Sequence, residues 1–155
     1  MPFTNPSASI TAFVTDLGRQ YTARVFMGQV VFQAVGFSVG RGGYQMGDPT
    51  QVVPITGAET GLVDPVYPNS IGGIQAFDGI ESPTVAARVY DCRLPATPAP
   101  SNADYGLGEI AIWATILVSN VPAEVGTTFM WALGHMPIRA KTNTDVMLLR
   151  TVINY

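Results

Sequence analysis

The chain has 155 residues, of which only 12% are charged, eight Lys and Arg against eleven Asp and Glu. With a single lysine, Lys141, and scattered arginines it lacks the clustered cations that phosphate binding needs, which excludes a nucleic-acid surface. The lone cysteine, Cys92, excludes an internal disulfide and is compatible with a reducing cytoplasm.

At this length one domain is expected, able to bury about 70% of its unfolded surface without a disulfide or metal. Low charge with an apolar fraction of 47% fits a surface partly covered by neighbours, because charge is depleted in interface cores. A homo-oligomer or a component of a larger assembly is therefore expected. No apolar run reaches the ~18 residues of a membrane span, and no basic residues precede an apolar N-terminal stretch. Neither a membrane span nor a secretory signal is expected.

Residues 1–10 are rich in Pro, Ser and Asn and read as an extended N-terminal arm, with 11–155 as a single domain. Residues 15–27 are the one good helix. Thr15 can cap it, and Asp16 suits the positive end of the helix dipole. Leu17, Tyr21 and Val25 form an apolar stripe, Arg24 suits the C-terminal end and Gly28 terminates. The stripe is expected to cover one face of a sheet. Residues 29–39 follow as a strand, broken by Gly40, Gly42 and Gly43, and Gly47-Asp48-Pro49 makes a turn.

Residues 50–83 read as a long loop with strand pieces at 51–55 and 73–77. A loop of this length is functional or held by contacts elsewhere. Residues 84–94 return to strand; Val85, Ala87 and Val89 alternate with Arg88 and Tyr90, so one face is expected wet or at an interface. Three prolines make 95–104 a loop.

Residues 106–118 are the stretch around which the rest is arranged. Ile110, Ile112, Ala114, Ile116 and Val118 fall on one face, and Ala111, Trp113 and Leu117 on the other. Apolar residues on both faces mark a strand covered on two sides. Residues 119–127 turn, 128–139 form the next strand, with Pro137 signalling an edge or bulge, and 145–154 form the last. The expected fold is α+β, mainly β: an antiparallel sheet or sandwich covered by one N-terminal helix, with long ordered loops.

The chemistry search yields little. Gly36-Phe37-Ser38-Val39-Gly40 matches G-x-S-x-G, but a nucleophile elbow needs a sharp turn at the serine and a helix after it. Here Ser38 lies in strand-like sequence and Arg41-Gly42-Gly43-Tyr44 follows. The one available base, His135, precedes Asp145, the reverse of the hydrolase order. His135 has no second His or Cys at metal-ligand spacing, no carboxylate cluster suggests calcium, and the glycines do not make a phosphate loop. Catalysis, a cofactor and a metal are not expected. Glu109 would be costly to bury unpaired, so Arg88 or Arg150 is expected to pair with it and hold the strands in register. Loop aromatics such as Tyr67, Phe77 and Tyr105 leave open a small surface module that recognises a glycan or receptor.

Six pieces of sequence stand in an order that resembles the N-terminal collar domain of bacteriophage tail fibres, the part that fixes a fibre to the baseplate. Asp16-Leu17-Gly18 is similar to the start of that family's short helix. Phe32-Gln33-Ala34-Val35-Gly36 is similar to its "I.AVGDG" strand, and Asp48-Pro49-Thr50-Gln51 to its "PT…QT" piece. Val85-Ala86-Ala87-Arg88 through Leu94-Pro95 resembles its "V.A.IP" strand. Gly108-Glu109-Ile110-Ala111-Ile112-Trp113, with Ala132-Leu133-Gly134-His135-Met136-Pro137, resembles "REIGLF" followed by "A.G..P". Met147-Leu148-Leu149-Arg150-Thr151-Val152-Ile153 resembles the closing strand.

The similarity runs from about residue 11 to 155. It departs at Arg41, where the family carries Asp, and between Ile55 and Thr84, where this chain is longer. The family's longer members continue into a fibre shaft, so the resemblance implies an attachment module alone. It implies a structural virion protein of a phage tail: an adaptor at the baseplate, assembled in the host bacterial cytoplasm, contacting other tail or fibre proteins and its own copies as a trimer or ring.

Overall fold

In a computed structural model the described residues are 8–45, 47–68, 73–84, 87–95, 105–141 and 146–154. They form β1 (Ala8–Val14), α1 (Asp16–Phe26), β2 (Val30–Gly40), β3 (Tyr44–Gln45), β4 (Asp48–Val52), β5 (Pro65–Tyr67), β6 (Gly79–Thr84), β7 (Ala87–Leu94), β8 (Tyr105–Ser119), β9 (Thr128–Lys141) and β10 (Met147–Asn154). Eight strands make one curled sheet in the order β5-β2-β8-β9-β1-β10-β7-β6, and β3 and β4 form a separate hairpin. Neighbours are antiparallel except β1 and β10, which run parallel. Among the described residues no helix is long and apolar enough to cross a membrane.

The curl is made at β1. Its residues Ala8 to Ala12 pair with β10, while Phe13 and Val14 pair with β9. The two halves thereby fold toward each other over one core. Phe37, Ile110, Ile112, Phe129 and Trp131 from one half share it with Tyr90, Cys92, Leu149 and Ile153 from the other. Tyr90 meets Trp131 edge-on with ring centroids 6.1 Å apart. Tyr90, which alternation assigns to a wet face, is thus in the core, and Val89 on the opposite face is buried as well. β1 also begins at Ala8, inside the expected arm; residues 1–7 lie outside the described residues.

β8 is the longest strand and is interior, flanked by β2 and β9. Ile110, Ile112, Ala114 and Ile116 enter the main core, and Ala111 joins Met130 and Leu133 in a second apolar cluster, with Trp113 packed against it. The expected two-sided covering stops short of its end, where Leu117 and Val118 are about half exposed. The cluster brings together Met130 and Leu133, which simple alternation along β9 would set on opposite faces. A register shift opposite Ile112 and Trp113 inserts Trp131 as an extra residue, so Leu133 turns to the same side as Met130. A second shift, opposite Leu107 and Glu109, takes up residues 136–138 and accommodates Pro137, as its sequence signal indicates.

α1 packs on β9 and β2. Thr15 is fully buried: its hydroxyl accepts from Gly18 N–H at 3.0 Å and donates to the Met130 carbonyl at 2.8 Å. One side chain thus caps the helix and ties it to β9. Gly18 is the contact point, since a Cβ there would stand 2.6 Å from the Trp131 carbonyl oxygen. Leu17 and Tyr21 pack on the core as the stripe predicts, but Val25 is 39% exposed. At its far end Arg24 donates to Glu124 at 2.8 Å and to Asn120 at 2.8 Å, in the connection between β8 and β9.

The region expected as a loop is more ordered than composition suggests. It contains β4, β5 and β6, whereas the strand piece expected at 73–77 is reduced to a single bridge between Gln75 and Phe37. Gly47, with φ +89, turns the β3–β4 hairpin, so Asp48 and Pro49 belong to β4 and not to the turn. The loop predicted at 95–104 lies outside the described residues after Pro95.

Gly18→Ala should cost about 1–3 kcal/mol in urea unfolding, because the neighbour of its new methyl is backbone. Arg19→Ala, on the exposed side of α1, should change stability by no more than about 0.5 kcal/mol. Hydrogen bonds from Arg24, then from Ser119, hold the Glu124 carboxyl below its ordinary value of 4.5. That depressed pKa adds stability above the ordinary value, and the gain is lost as pH falls through the lower folded one. Glu124→Gln should therefore be less stable than the native chain at neutral pH. The gap should close on acidification below 4.5, read as converging thermal midpoints.

Candidate functional site

The outer face of β2, β8 and β9 carries the features that sequence singled out. A segment from Val53 to Asp64 lies across it and covers the second apolar cluster with Ile55 and Leu62. Its ends and middle are pinned separately. Val53 N–H donates to the Gly43 carbonyl at 2.8 Å, and Asp16 N–H to the Gly57 carbonyl at 2.8 Å. Glu59 closes the tip by accepting from Thr56 N–H at 2.7 Å and Gly57 N–H at 2.9 Å. Arg41 pairs with Asp64 at 3.0 Å.

Glu109 is the central pin. Its carboxylate is fully buried and accepts three backbone N–H groups: Asp64 at 2.9 Å, Val63 at 3.1 Å and Gly42 at 3.3 Å. The expected partners are elsewhere. Arg150 pairs with Asp91 at 3.1 Å, and Arg88 donates to the Ala87 carbonyl at 3.1 Å. The correction has a physical reason. Backbone amides can solvate a buried carboxylate as well as a guanidinium does, without burying a second charge. The glycines follow from it. A Cβ at Gly42 would sit 2.8 Å from Glu109 Oε1, and one at Gly43 would sit 2.9 Å from the His135 ring. The strand-breaking glycines are there so that the chain can close on Glu109.

His135 lies on β9 opposite Glu109. Its Nδ1 is 2.7 Å from the Val53 carbonyl; because a carbonyl only accepts, Nδ1 carries the proton and donates. His135 is thus a further pin for the covering segment. It borders a cavity of about 290 Å³ with Arg41, Tyr44, Val63 and Asp64.

Ser38 is in a different cavity, of about 430 Å³, with Leu62, Tyr67, Pro68, Ile74 and Trp113. It sits within β2 opposite Ala111, not at a turn. Its Oγ accepts from Trp113 Nε1 at 2.8 Å, and it is 95% buried, since 5% is exposed. Among the described residues no basic side chain lines this cavity, and the bond to Val53 holds His135 in the other. Asp145 lies outside the described residues. Nothing in this geometry activates the hydroxyl. Cys92 is fully buried among core side chains, and burial pushes its thiol up, away from the reactive thiolate. No three of His, Cys, Asp and Glu come together as a metal site among the described residues.

Of the three aromatics read as loop residues, Tyr67 lines the larger cavity and Phe77 packs on Tyr90 in the core at 4.6 Å between centroids. Tyr105 opens β8. Trp113, read only as a strand residue, is the aromatic that joins Tyr67. The signal for it was alternation along β8, which sets it on the face opposite the isoleucines.

Glu109→Gln replaces one acceptor oxygen with an NH₂ that faces N–H donors, and should cost about 1–3 kcal/mol. Hydrogen exchange should show the loss locally, with faster exchange at the amides of Gly42, Val63 and Asp64 and little change in β7 and β10.

No family model, no curated protein and no solved structure matches the chain.

Proposed function

We propose that this chain is a structural protein of a bacteriophage tail, an attachment adaptor that docks a fibre or receptor-binding protein at the baseplate. The observation that carries this reading is an apolar end of the molecule. There the end of α1, the start of β2, the end of β8 and the turn after it meet. Phe26 is 87% exposed, with Met27, Val31, Val118, Val121 and Val125 all 45% exposed or more. Arg24 and Glu124, at the base of this end, neutralise each other as an ion pair at 2.8 Å. Such a patch is what a laterally packed protein buries. The six-piece resemblance supplies the setting, a virion tail, with other tail proteins and further copies of the chain as neighbours. The site geometry agrees in kind, because Glu109, Glu59 and His135 Nδ1 all hold a covering segment in place.

A second reading, a small glycan- or receptor-recognition module, is favoured by one feature: Tyr67 and Trp113 line the same open cavity. It requires glycan-array binding by the isolated protein that is lost in Tyr67→Ala.

Immunogold micrographs of purified particles test the first reading. Label at the tail tip is expected, and particles without label overturn it. Phe26→Asp should fold with a stability change of no more than about 0.5 kcal/mol, yet be lost from the particles.

A further inference from the structure

β2 has one open side. β8 pairs along its whole length. On the other side β5 pairs only Val39 and Gly40, and Gln75 exchanges two backbone hydrogen bonds with Phe37 at 2.8 and 2.9 Å. Among the described residues nothing pairs with residues 30–35 on that side. Exposed edges are usually blunted by charge or proline. β2, Val-Val-Phe-Gln-Ala-Val-Gly-Phe-Ser-Val-Gly, has neither, and Val31, Gln33 and Val35 are exposed along it.

The open stretch is self-complementary. Gln33 is its centre; Val31 and Val35 stand two residues away on either side, and Phe32 and Ala34 one residue away. A second copy running antiparallel on a two-fold axis through Gln33 sets Val31 against the partner's Val35. It also sets the large Phe32 beside the partner's Ala34. The backbone agrees. Phe37 turns its N–H and C=O to the open side, toward Gln75. The bulge between Ala34 and Gly36 absorbs one residue. Counting back through it, Ala34 and Phe32 also face the open side, while Gln33 faces β8. The axis then falls on a non-hydrogen-bonded pair, flanked on each side by a Phe32–Ala34 pair that exchanges two hydrogen bonds.

We propose that two copies of this chain join edge to edge through β2, antiparallel about Gln33, merging their sheets into one. The exposed Val31, Phe26 and Met27 lie beside the seam, so the pairing draws on the same apolar end. The proposal deepens the reading of a laterally packed structural protein and rests on it for the identity of the partner as a second copy.

Cross-linking tests it. A non-hydrogen-bonded antiparallel pair brings Cβ atoms to about 4.5–5.5 Å, close to disulfide reach. Cys92 is fully buried and stays out of the reaction. Oxidised Gln33→Cys should form a covalent dimer at least about tenfold faster than Gln20→Cys, an exposed position on α1. The native protein should elute at twice the chain mass. Gln33→Lys, which sets like charges face to face, should elute at the chain mass with an unchanged circular-dichroism spectrum. A native monomer at about 100 μM, or cross-linking no faster than in the control, overturns the proposal. A dimer that survives Gln33→Lys overturns it too, while leaving the tail reading intact. Unlabelled particles, by contrast, sink the tail reading and leave an edge-paired dimer standing.

Discussion

A carboxylate with no access to water must be solvated by the protein, and Glu109 meets that demand with amides alone. Three N–H groups from two separate segments converge on it. An isolated buried charge is among the costliest things a fold can contain, so the segments that supply those amides are tightly fixed. That explains why residues 53–64, which have little regular structure, lie closely against β8 and β9. It also explains why residues 40–43 are nearly all glycine. His135 serves the same arrangement through its bond to Val53.

Much of the fold was legible. Two-sided apolarity picked out β8 as an interior strand, and Thr15 with Gly28 bounded the helix. Pro137 announced a bulge. What failed did so for identifiable reasons. Simple alternation misplaces Leu133 relative to Met130 because a bulge at Trp131 resets it, and no residue type announces an extra residue in a ladder. β6 was hidden because its sequence, Gly-Ile-Glu-Ser-Pro-Thr, has weak strand propensity and owes its pairing to β7. The partner of Glu109 was misassigned because backbone donors leave no trace in a list of charged residues. The glycines did carry that information, in the form of close approach, but sequence alone reads them as turn signals. Trp113 as a cavity wall needed the loop over it to be seen.

Charge, apolar exposure and an unprotected edge belong to one physical description. A free monomer usually spreads ions over its surface and breaks up its greasy patches. Here a low charge count coexists with exposed Phe26, Met27 and a run of valines, and with a strand edge carrying no lysine or proline. The inside is conventional by comparison, with one apolar core shared by both halves of the curl and buried polar groups such as Thr15 and Glu109 fully bonded.

The strand that makes the curl joins segments that lie far apart in the sequence. β1 lies between β9 and β10, so residues 8–14 cannot be fully seated until residues 147–154 have been translated. Until then Leu149 and Ile153 are not available to close the interior, and contacts so distant in sequence are slow to form. Chaperone holding or prompt engagement by a neighbour is most useful in that interval.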